Sequence, residues 1–510
     1  MKRALAVLVL VILGAPSIAR GQQIPFLSEL FSRYEEFNKL YAAKRSAGAN
    51  LAAIEAPRKR GEEAFRRGDI PGLFETIGES TAALQGKPWD DKQRFIASLA
   101  LETDRVVIEP NALLQVQLTR IFPTNIDKAF AKTPTVTFEV AVAQPAAADK
   151  AQQQLAVRPM VIAERVPIAI TTSNTNRRLL LADGAYWVVA RVESGGKPVA
   201  EVRSPLYAIS NFTDSITQIS NSIAAIKRSS DPKVQAVAGL VATPEFQLQR
   251  VAALNKSRSD SEINPVQELD RIEADLAALS TGRNPFSTQR GEVERAYQAT
   301  DGKLVPYRLY IPKSYDGASA KPLVVMLHGA LGDEGYYFSW LFDPAVIKGE
   351  AERRGWILAG VNGRGRLSGY VGPAMDDTFE VVKRVTQEYR IDQTRIYLTG
   401  HSMGGFGVWS IASARPEVFA AIAPVSGGAP TKGDALNTLL LKVKALPVMV
   451  VHGARDGIAS AQLSRDAVAA AQEAGLKVNY LEVPDADHVS ILAGTFPAIM
   501  AFFEKQAKEK

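Results

Sequence analysis

The segment Arg395-Ile-Tyr-Leu-Thr-Gly400 is a short apolar run that leads straight into His401-Ser402-Met403-Gly404-Gly405, and no other stretch restricts the fold as tightly. A Gly-x-Ser-x-Gly spacing at the end of a strand lets the backbone turn sharply into a helix, because a Cβ at either glycine would obstruct the turn. The spacing therefore predicts a strand ending near Gly400, a corner at Ser402 and a helix over Met403 to Ala414. A serine on such a corner is held out in a strained conformation, and the first amides of the following helix point back toward it. Ser402 is the candidate nucleophile, and the Met403 N–H the first candidate oxyanion donor.

Further apolar runs flank this element. Pro322 to Leu327 ends in His328-Gly329-Ala330, and Trp356 to Val361 ends in the glycine-rich loop Gly363 to Pro373. Leu446 to Val451 ends in His452-Gly-Ala-Arg-Asp456, and Val478 to Val483 ends in Pro484-Asp485-Ala-Asp487-His488. Helical patterns separate them, over Asp376 to Tyr389 and about Ala459 to Ala474. Continuous apolar strands alternating with helices predict a mainly parallel sheet covered on both faces. Polar residues clustered just beyond the strands' C-terminal ends mark the usual site of such a sheet.

All 4 histidines fall in this region. His401 adjoins Ser402, where neighbouring side chains diverge, so it is expected to pack beside the corner. His328 and His452 precede glycines at strand ends, where a loop-shaping hydrogen bond is the ordinary role. His488 remains as the candidate general base. Among the acids, Asp485 and Asp487 lie too near His488 in sequence to orient it comfortably and suit a turn. Asp434 lies in a loop before its helix, which leaves Asp456 as the candidate partner. In these roles Ser402 attacks a carbonyl carbon, His488 takes and returns the proton, and Asp456 fixes the imidazole tautomer. That chemistry needs no metal or organic cofactor.

From Arg295 onward the chain resembles the α/β-hydrolase superfamily, whose members carry serine, acid and histidine in that chain order. More narrowly it resembles secreted feruloyl-esterase, polyhydroxyalkanoate-depolymerase-like and predicted-peptidase families. The motifs are the lead-in Tyr307-Arg-Leu-Tyr-Ile-Pro312 ahead of Leu327-His-Gly329, the run Ile391-Asp-Gln-Thr-Arg395-Ile-Tyr-Leu-Thr-Gly-His-Ser402-Met-Gly-Gly405, and Phe419 to Gly428 after the nucleophile helix. The resemblance implies a carboxylic-ester hydrolase, and it implies that the residue after His-Gly, Ala330, supplies the second oxyanion N–H. Many relatives carry Gly-Gly-His where this chain has Asp485-Ala-Asp487-His488, a departure that blurs the subfamily and the substrate.

A chain of 510 residues exceeds one ordinary domain. Lys2 and Arg3, an apolar run from Ala4 to Leu13 and the small-residue stretch to Gly21 have the three parts of a secretory leader, with cleavage expected before Gln22. The apolar run is too short to span a membrane, and a lipoprotein anchor requires a cysteine that the chain lacks. The expected destination is the periplasm or medium. Stability outside the cell must then come from core size instead of disulfides. The formal charge of +6 includes Lys2, Arg3 and Arg20 of the leader, and Arg58-Lys-Arg60 is followed by Glu62 and Glu63. Such a balance predicts a solvated helical face and no nucleic-acid partner.

Residues 22 to 289 read differently. Leu27, Leu30, Tyr34, Phe37 and Leu40 recur at helical spacing, and amphipathic patterns are expected to continue to about Phe122. Val136 to Val142, Tyr186 to Val192 and Val199 to Val202 alternate, the last two across Gly195-Gly196, which predicts a small antiparallel sheet or sandwich. Helical spacing returns from Asp214 to Leu279, and Ser280 to Gln289 reads as a linker to a hydrolase domain over 290–510. Tyr186 and Trp187 offer either a ligand platform or, as is commoner for aromatics at strand spacing, core residues of the sheet. Without a histidine this region holds no second hydrolytic centre, and its place ahead of the hydrolase suits substrate binding or cover for the site's mouth.

Three functions are compatible with these residues. The first is an ester hydrolase acting on a small or polymeric ester. The second is a serine peptidase of the prolyl-oligopeptidase type, and the third a non-catalytic binding protein on the same scaffold. The peptidases mostly carry a β-propeller ahead of the hydrolase, and no propeller period is present here.

Overall fold

The computed structural model describes residues 27–143, 160–167, 172–256, 263–338, 343–365 and 367–509. The expected leader and its cleavage point lie outside them. Two compact units divide the chain, one comprising Asn284–Lys510 and the other Gln23–Ala64 with Asp69–Arg283.

In the C-terminal unit, strands β1 (Gly291–Gln298), β2 (Leu304–Ile311), β3 (Lys321–Leu327), β4 (Ile357–Val361), β5 (Ile391–His401), β6 (Ala421–Val425), β7 (Val448–Gly453) and β8 (Val478–Val483) form one eight-stranded sheet. Its order is β8-β7-β6-β5-β3-β4-β2-β1. The β1–β2 and β2–β4 pairs are antiparallel and the others parallel. The helices are α1 (Pro344–Arg354), α2 (Pro373–Glu388), α3 (Met403–Ala414), α4 (Asp434–Lys442), α5 (Ala461–Glu473) and α6 (Ser490–Glu504).

Two apolar layers explain why the central strands read as unbroken hydrophobic runs. Leu323, Val325, Leu327, Ile396 and Leu398 face one core with Val381 and Val385 of α2, Val408 and Trp409 of α3 and Val468 of α5. Val324, Met326 and Tyr397 face the other with Ile347 and Ala351 of α1 and Ile491, Phe496 and Ile499 of α6. A side chain on either face of these strands is therefore buried, as a doubly covered parallel sheet requires.

The N-terminal unit joins helices to two sheets. One has Leu99–Thr103, Ala112–Arg120 and Thr172–Leu179 in spatial order, and the other Val107–Ile108, Lys197–Ala208, Gly184–Ser194, Thr135–Val142 and Met160–Pro167. Leu101, Leu114, Val116 and Leu118 of the first share a core with Val136, Phe138, Val188 and Leu206 of the second, which makes the region a small sandwich. Helices Phe212–Arg228, Ala242–Ala253 and Pro265–Leu279 close a separate core around Ile219, Val251 and Ile272.

The helical expectation up to Phe122 is corrected here. The leading run of helices ends at Ser98, and residues 99–120 are largely strand. Leu114, Val116 and Leu118 are buried while Gln115 is exposed, so the period there is two, not 3.6.

Candidate active site

The parallel strands bring their C-terminal ends together. Register sets Leu327 of β3 opposite Gly400 of β5, His401 opposite Val425 of β6, and Gly453 of β7 opposite Val483 of β8. The residues picked out in the sequence all follow these ends: Ala330 beyond β3, Ser402 and Met403 beyond β5, Asp456 beyond β7 and His488 beyond β8.

Ser402 occupies the corner between β5 and α3 at φ 55° and ψ −115°, a conformation that side-chain-bearing residues rarely adopt. Its amide donates to Val425 O at 2.9 Å, and its carbonyl accepts from Phe406 N at 3.1 Å in the first turn of the helix. The neighbouring glycines are required by close approach. A Cβ on Gly404 would lie 2.2 Å from Leu327 O, and one on Gly400 would lie 2.4 Å from Gly404 O. Because those obstacles are backbone atoms, no rotamer change relieves them.

Ser402 Oγ lies 2.9 Å from His488 Nε2, and His488 Nδ1 lies 2.7 Å from Asp456 Oδ2. His488 and Asp456 are buried and Ser402 is partly open. Asp456 is heavily supported: Oδ1 accepts from the amides of Ile458 at 2.9 Å and Ala459 at 2.8 Å, and His452 Nε2 lies 3.2 Å from Oδ2. Burial pushes this carboxyl up, but the charge on His488, hydrogen bonds from His452 and His488 and the Ala459 amide outweigh it. Asp456 is held well below the usual carboxylate range and stays ionised. This is the environment needed to orient an imidazole and to stabilise its protonated form.

The remaining histidines and acids do other work. His452 Nδ1 meets Ser464 Oγ at 2.6 Å, and Ser464 reaches Gly427 O at 2.6 Å, so His452 both shapes its loop and abuts Asp456. The His328 ring spans Gly329 O and Asn362 O, at 2.7 and 2.6 Å. His401 packs beside the corner with its ring centroid 4.7 Å from that of His488. Asp487 accepts from Val489 N and Ser490 N at the start of α6, Asp485 pairs with Arg455 at 2.8 Å, and Asp434 opens α4 in the open.

Met403 is the first residue of α3, so its amide is among those a helix leaves without an internal acceptor. Ala330 packs against the sheet core in the loop that leaves β3. Residues 367–373 of the loop after β4 are held in place by Tyr370, which is fully buried at φ 55°. A Cβ on Gly407 would fall 2.9 Å from the Tyr370 side chain, and the Gly369 amide lies 3.4 Å from Met403 Sδ. The loop therefore sits against the start of α3.

Sequence reasoning missed two features. Tyr336, in the loop after β3, donates to His401 Nδ1 at 2.8 Å. Glu334 is buried in the same loop, accepting from Asn362 Nδ2 at 2.7 Å, and burial with Asp333 beside it pushes its carboxyl up to about 7. Nothing in the spacing Gly332-Asp-Glu334-Gly-Tyr336 marks either side chain as inward-facing.

A model of the prolyl oligopeptidase family matches residues 370–444, which include Ser402 but neither Asp456 nor His488. The chain is 27% identical over 194 residues to the bifunctional acetylxylan esterase/xylanase XynS20E of Neocallimastix patriciarum; the match covers 36% of this chain and 27% of that protein. The chain thus spans about a quarter of the length of this curated relative. Among solved structures it is similar to FphF, a fluorophosphonate-binding serine hydrolase of Staphylococcus aureus (18% identity, 42% of this chain and 99% of that one, TM-score 0.36). It is also similar to the feruloyl esterase module of Clostridium thermocellum (17% identity, 43% and 90%, TM-score 0.35). At such TM-scores the fold assignment rests on strand order and not on superposition. The parallel sheet with its two antiparallel lead-in strands, the serine corner after β5 and the two sequence matches agree: the C-terminal region of this chain is an α/β-hydrolase in fold, and it is similar to serine hydrolases and esterases.

Proposed function

We propose that the chain is an exported serine hydrolase that cleaves carboxylic esters through an acyl-enzyme, with Ser402 as nucleophile, His488 as general base and acid, and Asp456 as its orienting partner. The observation that carries this reading is the continuous hydrogen-bonded line from Ser402 Oγ through His488 to Asp456, at 2.9 and 2.7 Å. Ser402 Oγ adds to the ester carbonyl as its proton moves to His488 Nε2. The C–O bond to the alcohol then breaks, and His488 returns the proton to the departing oxygen. Water, deprotonated by His488, adds to the acyl-enzyme and releases the acid and Ser402. The amides of Met403 and Ala330 are the proposed donors to the oxyanion, each worth about 3 kcal/mol of barrier when well placed. Export is proposed from the leader pattern of residues 1–21.

The match to a prolyl oligopeptidase model over 370–444 favours a second reading, a serine peptidase that uses the same residues. Against it, the described part of the N-terminal unit forms sheets of three and five strands with helices, not a ring of blades. Hydrolysis of a short p-nitrophenyl ester beside a matched aminoacyl p-nitroanilide, with a Ser402→Ala control, separates the readings. Ester turnover lost in the variant, with the anilide untouched, is expected. Anilide cleavage would transfer the assignment to peptidase, and activity that survives Ser402→Ala would refute both.

A further inference from the structure

We infer that Tyr336 and His401 act together as positioning residues that fix the backbone of the base loop at His488 relative to the oxyanion loop at Gly329–Gly332. The inference rests on the roles proposed above for Ser402, His488 and Ala330.

Hydrogen-bond chemistry determines the state of His401. Its Nε2 lies 2.6 Å from the His488 main-chain oxygen, and a carbonyl only accepts, so Nε2 carries the hydrogen. In the neutral ring Nδ1 is then an acceptor, and the Tyr336 hydroxyl, 2.8 Å away, supplies the donor. The chain Tyr336 O–H to His401 to His488 O thus runs in one direction. Burial, with His488 next to it, pushes His401 down to about 3. Through a cycle in which His488 gains the proton of Ser402, His401 stays neutral and does not divert it.

The other end of the chain lies on the oxyanion loop. A Cβ on Gly329 would fall 2.5 Å from Tyr336 Oη, and one on Gly332 would fall 2.5 Å from Tyr336 Cδ2. The turn carrying Ala330 is thus packed directly against the Tyr336 side chain, and Gly332 N to Gly329 O at 3.1 Å closes it. Tyr336 in turn stacks on His401, with centroids 6.0 Å apart and planes 27° from parallel.

His488 is held on three sides. Asp456 binds its ring, Asp487 caps the helix that follows it, and His401 holds its carbonyl. Of these, only His401 leads toward the loop that carries the second proposed oxyanion donor. A proton-transfer group and an oxyanion donor must keep their spacing to within about 0.5 Å, and a shift of about 1 Å can cost about 100-fold in rate.

The test compares His401→Leu, His401→Gln and Tyr336→Phe with wild type in the full chain. The readouts are kcat and KM for p-nitrophenyl acetate, the rate of Ser402 labelling by a fluorophosphonate, and the melting temperature. Gln retains an amide N–H able to reach the His488 carbonyl, whereas Leu does not. Expected is a fall of about 10- to 100-fold in kcat and in labelling for His401→Leu, with KM within about 3-fold, substantial recovery in His401→Gln, and a loss of about 3- to 10-fold in Tyr336→Phe. A folded His401→Leu protein with wild-type kcat, a loss confined to KM, or no recovery with Gln would overturn the inference. Should His401→Leu not fold, Tyr336→Phe decides alone, and unchanged kcat there overturns it. A wild type that neither turns over the ester nor is labelled overturns the parent reading and this inference with it, whereas normal labelling in all three variants overturns only this one.

Discussion

Replacing Ser402 by glycine should leave a more stable protein than replacing it by alanine, although both should be inactive. Both variants lose Oγ and with it the 2.9 Å contact to His488, so that contribution cancels in the comparison. What differs is the Cβ, held at φ 55° and ψ −115°. A side-chain-bearing residue in such a region costs about 1–3 kcal/mol. Glycine escapes that cost, but its freer unfolded chain takes back about 0.5–1 kcal/mol. Taking about 2 less about 1 leaves roughly 1 kcal/mol in favour of glycine, or about 3 °C in melting temperature for a domain of this size. Differential scanning calorimetry on the two variants, with ester hydrolysis run alongside, measures the difference directly. An alanine variant that melts at or above the glycine variant would mean that the corner stores no strain at Ser402, and the steric account of the elbow would fail.

Gly404→Ala, which sets a Cβ 2.2 Å from Leu327 O, should cost more than about 3 kcal/mol in urea unfolding or prevent folding; a loss under about 1 kcal/mol would contradict the close approach. Glu334 should make stability fall with pH. Its folded carboxyl is raised from 4.5 to about 7, so the contribution is complete below 4.5 and lost as pH rises through 7. Glu334→Gln keeps an acceptor for Asn362, and its stability relative to wild type should therefore grow between pH 5 and 8 by about 3 kcal/mol, read from melts across that range. His452→Ala removes a buried ring from beside Asp456 and should lower stability by about 2–4 kcal/mol in denaturant titrations, with ester turnover reduced. Gly349 in α1 and Gly494 in α6 have nothing within 4 Å of a built Cβ, so Gly→Ala at each should add about 0.5–1 kcal/mol in the same titrations.

The parts of the fold that could be read from sequence were those fixed by local sterics and one-dimensional pattern. The helix expected over Met403 to Ala414 is the helix observed, because a glycine-flanked corner has few continuations. The strand at Val478 to Val483 likewise keeps its expected bounds. Asp456 and His488, chosen from chain order and strand ends, lie within hydrogen-bond distance of one another, and His488 of Ser402. The region before Phe122 was harder, since Leu113-Leu-Gln-Val-Gln-Leu118 alternates over too short a stretch to stand out from the amphipathic helices before it. Tyr336 and Glu334 were not legible at all. Their inward direction depends on how the loop after β3 folds back over its glycines, a tertiary outcome with no periodic trace.

The glycine contacts around the corner bear on how such a domain diversifies. Beyond the two glycines flanking Ser402, a Cβ on Gly405 would fall 2.5 Å from Val425 O and one on Gly427 would fall 2.7 Å from the Gly405 carbonyl carbon. The Ser402 corner is therefore located by main chain resting on main chain, with few side chains as intermediaries. Substitutions in the surrounding loops should leave the position of Ser402 unchanged, while a side chain at these glycines should disrupt the fold. A saturation scan of the domain would then be sharply two-tiered, with an intolerant knot at β5–α3 and β6 inside a rim free to explore new chemistry.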